Sequence, residues 1–209
     1  MTLDLDGLTA RIRAAHTDDA RLIVAIAGAP ASGKTTLAEK LHQHLGGDAA
    51  GVAVVPMDGF HFDDAILSER GVLDRKGAPH TFDAGGLKRI LEAIKEDANE
   101  DVYVPVFDRG LELSRGSARC ISPSHRIILV EGNYLLLNQE PWDQLAKLFD
   151  LSIYLEVPEE TLRARLLDRW RSFGFNEADA LQKAQGNDLP NAQTVVMLTK
   201  KADITISDA

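Results

Sequence analysis

The chain predicts an α/β fold, a parallel sheet covered by helices on both faces, and three observations carry that expectation. Apolar strand-like runs alternate with helix-like segments along the chain. The runs are dense in Val, Ile and Leu, as strands covered on both sides must be. A glycine-rich loop also joins the first run to the first amphipathic segment, the arrangement in which open parallel sheets receive anions.

The elements follow in chain order. Leu8 to His16 begins with an amphipathic helix. Leu22-Ile23-Val24-Ala25-Ile26-Ala27 reads as a buried strand, and Leu37, Leu41 and Leu45 then recur at helical spacing until Gly46-Gly47 ends the helix. Val52 to Met57, Arg126 to Glu131, Leu151 to Val157 and Ala202 to Ile206 are further strand candidates. Asp83 is placed to cap a helix that begins near Leu87. One stretch breaks the pattern: Val102-Tyr103-Val104-Pro105-Val106-Phe107 alternates faces, and Ser117 to Ile121 reads as its hairpin partner, giving a small flap over about 102–121. Glu159 to Phe173 reads as an arginine-rich helix within a lid of about 159–175.

At 209 residues with 44% hydrophobic residues, the chain suits one well-filled core, so a single domain over 1–209 is expected. A formal charge of -9 argues against general affinity for nucleic acid or anionic membranes, because no basic surplus is available for polymer phosphates. Anionic ligands must be met locally. The single cysteine, Cys120, excludes an internal disulfide framework and reads as a half-buried strand residue. Met1 to Asp6 carries acids where a signal peptide has lysines, and no apolar stretch approaches the roughly 20 residues that cross a bilayer. A cytoplasmic protein is expected. On assembly the sequence is silent, homodimers being merely the commonest case.

Gly28-Ala29-Pro30-Ala31-Ser32-Gly33-Lys34-Thr35 matches G-x-x-x-x-G-K-[ST] in the strand-to-helix context that the motif requires. Its glycines let consecutive amides and the positive helix end face a polyphosphate; Lys34 adds a mobile charge, Thr35 a hydroxyl for Mg2+, and Thr36 follows in the same turn. The chain is therefore expected to bind a nucleotide.

Met57-Asp58-Gly59-Phe60-His61 follows the second strand, so Asp58 faces the phosphate loop and is a candidate base for an acceptor hydroxyl. Asp-Gly is also a favoured turn pair. His61 either binds substrate or packs beside Phe60 and Phe62. Ile127 to Gly132 is an apolar strand ending in an acid, where Glu131 complements Thr35 as metal support. Asp58 and Glu131 are interchangeable on the sequence alone. Arg165 and Arg169 share one helix face, with Arg163 nearby, and suit the charge of a transferring phosphoryl group; the plainer reading is a solvated face pairing Glu159, Glu160 and Asp168. Trp142 and Trp170 read as packing residues.

Together with Arg75-Lys76-Gly77-Ala78-Pro79-His80-Thr81-Phe82-Asp83, Pro105-Val106-Phe107-Asp108-Arg109 and Val130-Glu131-Gly132-Asn133-Tyr134-Leu135-Leu136-Leu137, these motifs resemble the phosphoribulokinase and uridine kinase superfamily over nearly the whole chain. Within it the chain is similar to bacterial nucleoside or nucleotide kinase-like proteins named for fructose transport systems, and also to pantothenate kinase. The resemblance implies a P-loop NTPase three-layer fold with a five-stranded parallel core, ATP and Mg2+ as cofactors, and phosphoryl transfer to a small hydroxyl compound. It implies Asp58 as base, Glu131 as the metal-side acid, and Arg165 and Arg169 in the lid. Lys76 and His80 fall in the segment lining the acceptor site, Arg109 in the flap that grips the acceptor, and Asn187 and Asn191 in a motif near the nucleotide. Phe107 reads as an acceptor wall on which a ligand can stack, and the asparagines also read as helix caps.

The favoured function is a kinase for a sugar, sugar acid or related polyol, with a nucleoside or pantothenate-type kinase as the alternative. A regulatory P-loop NTPase without an acceptor is the rival class. Thr199-Lys200-Lys201-Ala202-Asp203 comes near the guanine-binding N/T-K-x-D pattern but is one residue too long, which weakens that rival.

Overall fold

A computed structural model describes residues 4–17 and 20–207. In chain order the helices and strands are α1 (Leu5–Ala15), β1 (Leu22–Gly28), α2 (Lys34–Leu45), β2 (Val52–Pro56), α3 (Asp64–Glu69), α4 (Ala84–Glu96), β3 (Val102–Asp108), β4 (Leu113–Ile121), β5 (Ile127–Gly132), β6 (Leu151–Glu156), α5 (Glu159–Ser172), α6 (Glu177–Lys183), α7 (Leu189–Leu198) and β7 (Ile204–Ser207). The first residues of the Met1 to Asp6 segment lie outside the described ones.

Five strands form one sheet in the order β2-β5-β1-β6-β7, every pairing parallel. This is the three-layer α/β architecture expected from the alternating runs. Strand side chains alternate faces, and β1 shows both: Leu22, Val24 and Ile26 join a cluster with Leu8 and Ile12 of α1 and Leu41 and Leu45 of α2. Ile23, Ala25 and Ala27 join the opposite cluster with Leu87, Leu91 and Ile94 of α4. All seven residues of β1 are buried, which is why the strand reads as a continuous apolar run.

Strand ends differ from expectation by one to three residues, except in the flap. β4 starts at Leu113, not Ser117, and pairs antiparallel with β3 across an irregularity between Val104 and Val106. Its first half is polar because this ribbon covers the core on one side only. Val104 and Ile121 point inward and are fully buried, whereas Cys120, one residue out of phase, is exposed. The half-buried reading of Cys120 is thereby corrected. α4 begins at Ala84, with the Asp83 carboxylate accepting from the Gly86 amide. Between β5 and β6 the chain runs through a 3-10 segment, Trp142–Leu148, rather than a full helix.

Candidate active site

The sheet order puts the C-terminal ends of β1, β2 and β5 side by side, with Ile26 opposite Glu131 and Pro56 opposite Glu131 in register. Gly28–Thr36, the turn after β2 and Glu131 therefore converge at one edge, the position where open α/β sheets bind ligands.

In the phosphate loop Ala31 and Gly33 take left-handed backbone angles (φ 64° and 92°), so the amides curl around a concave space, and a side-chain carbon added at Gly33 would meet nothing within 4 Å. No side chain caps the start of α2. Its first N–H groups are thus left for a ligand. The Ser32 hydroxyl is buried with no hydrogen-bond partner among the described residues. Concavity, uncapped helix and orphan hydroxyl all fit a bound polyphosphate.

The Lys34 ammonium reaches back to the Ala29 carbonyl at 3.3 Å. Burial lowers its pKa, opposed by the nearby carboxylates of Glu131 and Asp58. Glu131, 5% exposed, accepts a hydrogen bond from the Thr35 hydroxyl at 3.2 Å, and burial raises its pKa while Lys34 pulls it back. Among the described residues no group of three or more His, Cys, Asp or Glu side chains could hold a metal ion. Thr35 and Glu131 thus form a partial donor set, of the kind Mg2+ completes with phosphate oxygens and water.

Asp58 stands in a 3-10 turn (Met57–Phe60) and accepts from Arg109 Nη2 at 2.8 Å. This turn lies so close to the flap that a Cβ on Gly59 would collide with the Pro105 carbonyl. Glycine is required there by approach, not by backbone angle. On one side of Asp58 opens a cleft of about 700 Å³, walled by His61, Phe107, Lys76, Asn187 and the lid residues Arg169 and Trp170. On the other side a cleft of about 600 Å³ contains Thr35, Glu131, Arg119 and Cys120. Asp58, Phe107 and Arg109 border both.

His61 packs against Phe82 and Phe107, with ring centroids 4.0 and 4.7 Å away, rather than beside Phe60 and Phe62, and it also lines the larger cleft. Its Nδ1 lies 2.8 Å from the Asp58 carbonyl, which can only accept, so Nδ1 carries the proton. Burial lowers the His61 pKa, favouring the neutral ring.

Other expected residues divide. Arg169 joins the cleft wall, over Trp170 and Phe173, while Arg163 and Arg165 are exposed on the same helix. Of the acids assigned to a solvated face, Asp168 pairs with Arg171, which also holds Glu177. His80 is exposed on a turn and is absent from the lining of the larger cleft, so its acceptor role is not supported. Asn187 and Asn191 serve as side-chain caps for neither the π-helical turn Ala184–Asp188 nor α7. Asn187 donates to the Lys76 carbonyl at 2.7 Å and accepts from Asn191 at 3.2 Å, so their polar contacts run to the acceptor-side wall and not to the phosphate loop. Trp142 is core, but Trp170 lines the cleft and donates to Asp188 at 2.6 Å, beyond mere packing. Asp188 was not singled out by sequence, since nothing marks an acid in a π-helical turn. Asp203, the acid of the near guanine motif, accepts from the Ser152 amide and hydroxyl and is spent on joining β6 to β7.

Known proteins agree with this geometry. The family described as an AAA domain matches residues 24–182. "Putative uridine kinase C227.14" of Schizosaccharomyces pombe is 32% identical over 89% of this chain and 83% of its own length. A crystal structure of a "putative fructose transport system kinase" from Silicibacter sp. TM1040 superposes with a TM-score of 0.90 at 42% identity, covering 97% of this chain and 98% of that one. At the level of fold alone, phosphoribulokinase from Rhodobacter spheroides matches with a TM-score of 0.58 and 12% identity over 91% and 71% of the two chains. No helix among the described residues is long and apolar enough to cross a membrane. The phosphate loop, the acid ending β5, the flap and the lid are thus shared features of a lineage, and the chain belongs to the P-loop kinases of the uridine kinase and phosphoribulokinase type, a family of phosphotransferases.

Proposed function

We propose that this chain transfers the γ-phosphoryl group of ATP to a hydroxyl of a small sugar, sugar acid or related polyol, with Asp58 as the base. One observation carries the reading: Asp58 borders both clefts, beside Thr35 and Glu131 on one side and an acceptor-sized cavity on the other. The amides of Gly28–Thr36 and the Lys34 ammonium hold the phosphates, and Thr35 and Glu131 hold Mg2+. When bound, Mg2+ supplies charge neutralisation across the phosphate oxygens. Asp58 leaves Arg109, accepts the hydroxyl proton and aligns that oxygen with the terminal phosphorus. The new O–P bond forms as the bond to the bridging oxygen breaks, and ADP leaves. Arg169 balances charge on the moving group from the lid.

A second reading, a nucleoside or pantothenate-type acceptor, is favoured by the aromatic pair Trp170 and Phe175, whose ring centroids lie 5.4 Å apart at the far end of the larger cleft. A flat base or a longer chain can lie against such a wall. ADP release measured with fructose, D-glycerate, pantothenate and uridine separates the readings. Stimulation of about tenfold or more by one class, the effect of roughly 1.4 kcal/mol of barrier, names the acceptor. Phosphate release indifferent to all four turns the assignment to a regulatory NTPase.

A further inference from the structure

Lys76 looks at first like a cation waiting for an acceptor, since it lines the larger cleft. Its ammonium is already engaged. Nζ donates to Asp64 Oδ1 of α3 at 2.6 Å and to the Glu112 carbonyl at the flap tip at 2.9 Å, and it lies 3.4 Å from Glu112 Oε1. An ammonium has three N–H donors and no acceptor, so these contacts saturate it. The same group sits 5.3 Å from the Phe107 ring of β3, and the side chain is only 15% exposed.

The backbone beneath Lys76 is equally tied. The Lys76 carbonyl accepts from Asn187, the Gly77 carbonyl accepts from the Tyr134 hydroxyl at 2.6 Å, and Arg75 donates to the Gly186 carbonyl at 2.9 Å. Residues 75–77 therefore form a strut fixed to the β5 edge and to the turn before α7. The flap tip has its own internal order, because the Asp108 carboxylate accepts from the amides of Gly110 and Leu111. What joins this ordered tip to that strut is the Lys76 ammonium.

We propose that Lys76 is a positioning residue: it clasps the flap tip to α3 and to the 75–77 strut, and so holds Phe107 and Arg109 at the acceptor cleft without itself contacting the acceptor. The inference rests on the kinase reading for its kinetic consequence, but its structural content is independent of the substrate. Asp64 makes the distinction testable, because it engages Lys76 and yet does not line the larger cleft.

The test compares Lys76→Gln, Asp64→Asn and the double variant in the full chain. Amide hydrogen exchange at residues 109–114 is expected to accelerate severalfold in each single variant, with the double variant no faster than Lys76→Gln alone, since both remove one contact. Asp64 is half exposed, so Asp64→Asn keeps the test open if Lys76→Gln does not fold. With whichever of fructose, D-glycerate, pantothenate or uridine the wild type phosphorylates, both single variants are expected to raise the acceptor KM severalfold and leave the ATP KM unchanged. Flap exchange unaltered by Asp64→Asn overturns the clasp, as does a KM effect confined to Lys76→Gln, which would mark a direct acceptor ligand. Wild-type inactivity toward all four compounds would count against the kinase assignment, while the exchange measurements would still decide the clasp.

Discussion

Glu131 and Lys76 are charged groups beside the same reaction centre, held in opposite ways. Glu131 ends a strand whose every residue is buried, and a hydrogen bond from Thr35 meets its carboxylate. Lys76 stands on a loop and is held by Asp64 and Glu112, both at least half exposed to solvent. The phosphate side of the site is built into the sheet, where desolvation makes each charge costly and its placement rigid. On the acceptor side, separate segments are fastened together by partly exposed contacts that are individually weak and screened by salt. Chemistry common to a lineage belongs on the first kind of scaffold, and selectivity that varies among members belongs on the second.

Removing a charge from the rigid side sharpens the contrast most. Lys34→Ala is expected to lower kcat/KM about a thousandfold, the scale of losing one preorganised charge at a transferring phosphoryl group. Steady-state kinetics would show it, and near-normal turnover would place the phosphates elsewhere. Asp58→Asn is expected to cost between about a hundredfold and ten-thousandfold in transfer, with ATP affinity by calorimetry preserved. Weakened ATP binding in that variant would instead move Asp58 to the metal and Glu131 to the base.

An intermediate effect is expected at the seam between the halves. Gly59→Ala forces the turn after β2 away from the Pro105 carbonyl. Destabilisation of about 1–3 kcal/mol in urea unfolding is expected, as for other overpacked sites, together with a raised acceptor KM. Full stability in that variant would show that the flap tolerates displacement.

The smallest effect concerns His61. Its folded pKa lies below the ordinary value of 6.5, so the unfolded chain binds the proton more readily. Stability from the neutral ring is complete above 6.5 and is lost as pH falls from there toward the lower folded value. His61→Phe, which removes the titrating group from between Phe82 and Phe107, is expected to lose less Tm than the wild type between pH 7 and 5. An equal loss would mean that the ring protonates in place.

Much of the phosphate side was legible because its parts are contiguous or end a buried strand: Gly28–Thr36 announce themselves, and Glu131 follows an unbroken apolar run. The acceptor side was legible only as segments. Lys76 finds its partners 12 and 36 residues away, and Asn187 reaches back 111, separations at which spacing carries no signal. The early part of β4 escaped notice because a ribbon with one wet face accepts polar residues such as Ser114 and Arg115. His80 was misplaced for a related reason: a turn rich in breakers does not disclose which of its side chains faces inward.

Trp170 has a practical consequence. The protein has two tryptophans; Trp142 is sealed in the core at 1% exposure and donates to the Pro79 carbonyl, whereas the Trp170 indole stands in the cleft wall with its N–H on Asp188. Substrate-induced changes in ultraviolet emission should therefore arise from one chromophore, so movement of α5 can be timed in the unlabelled protein by stopped-flow fluorescence.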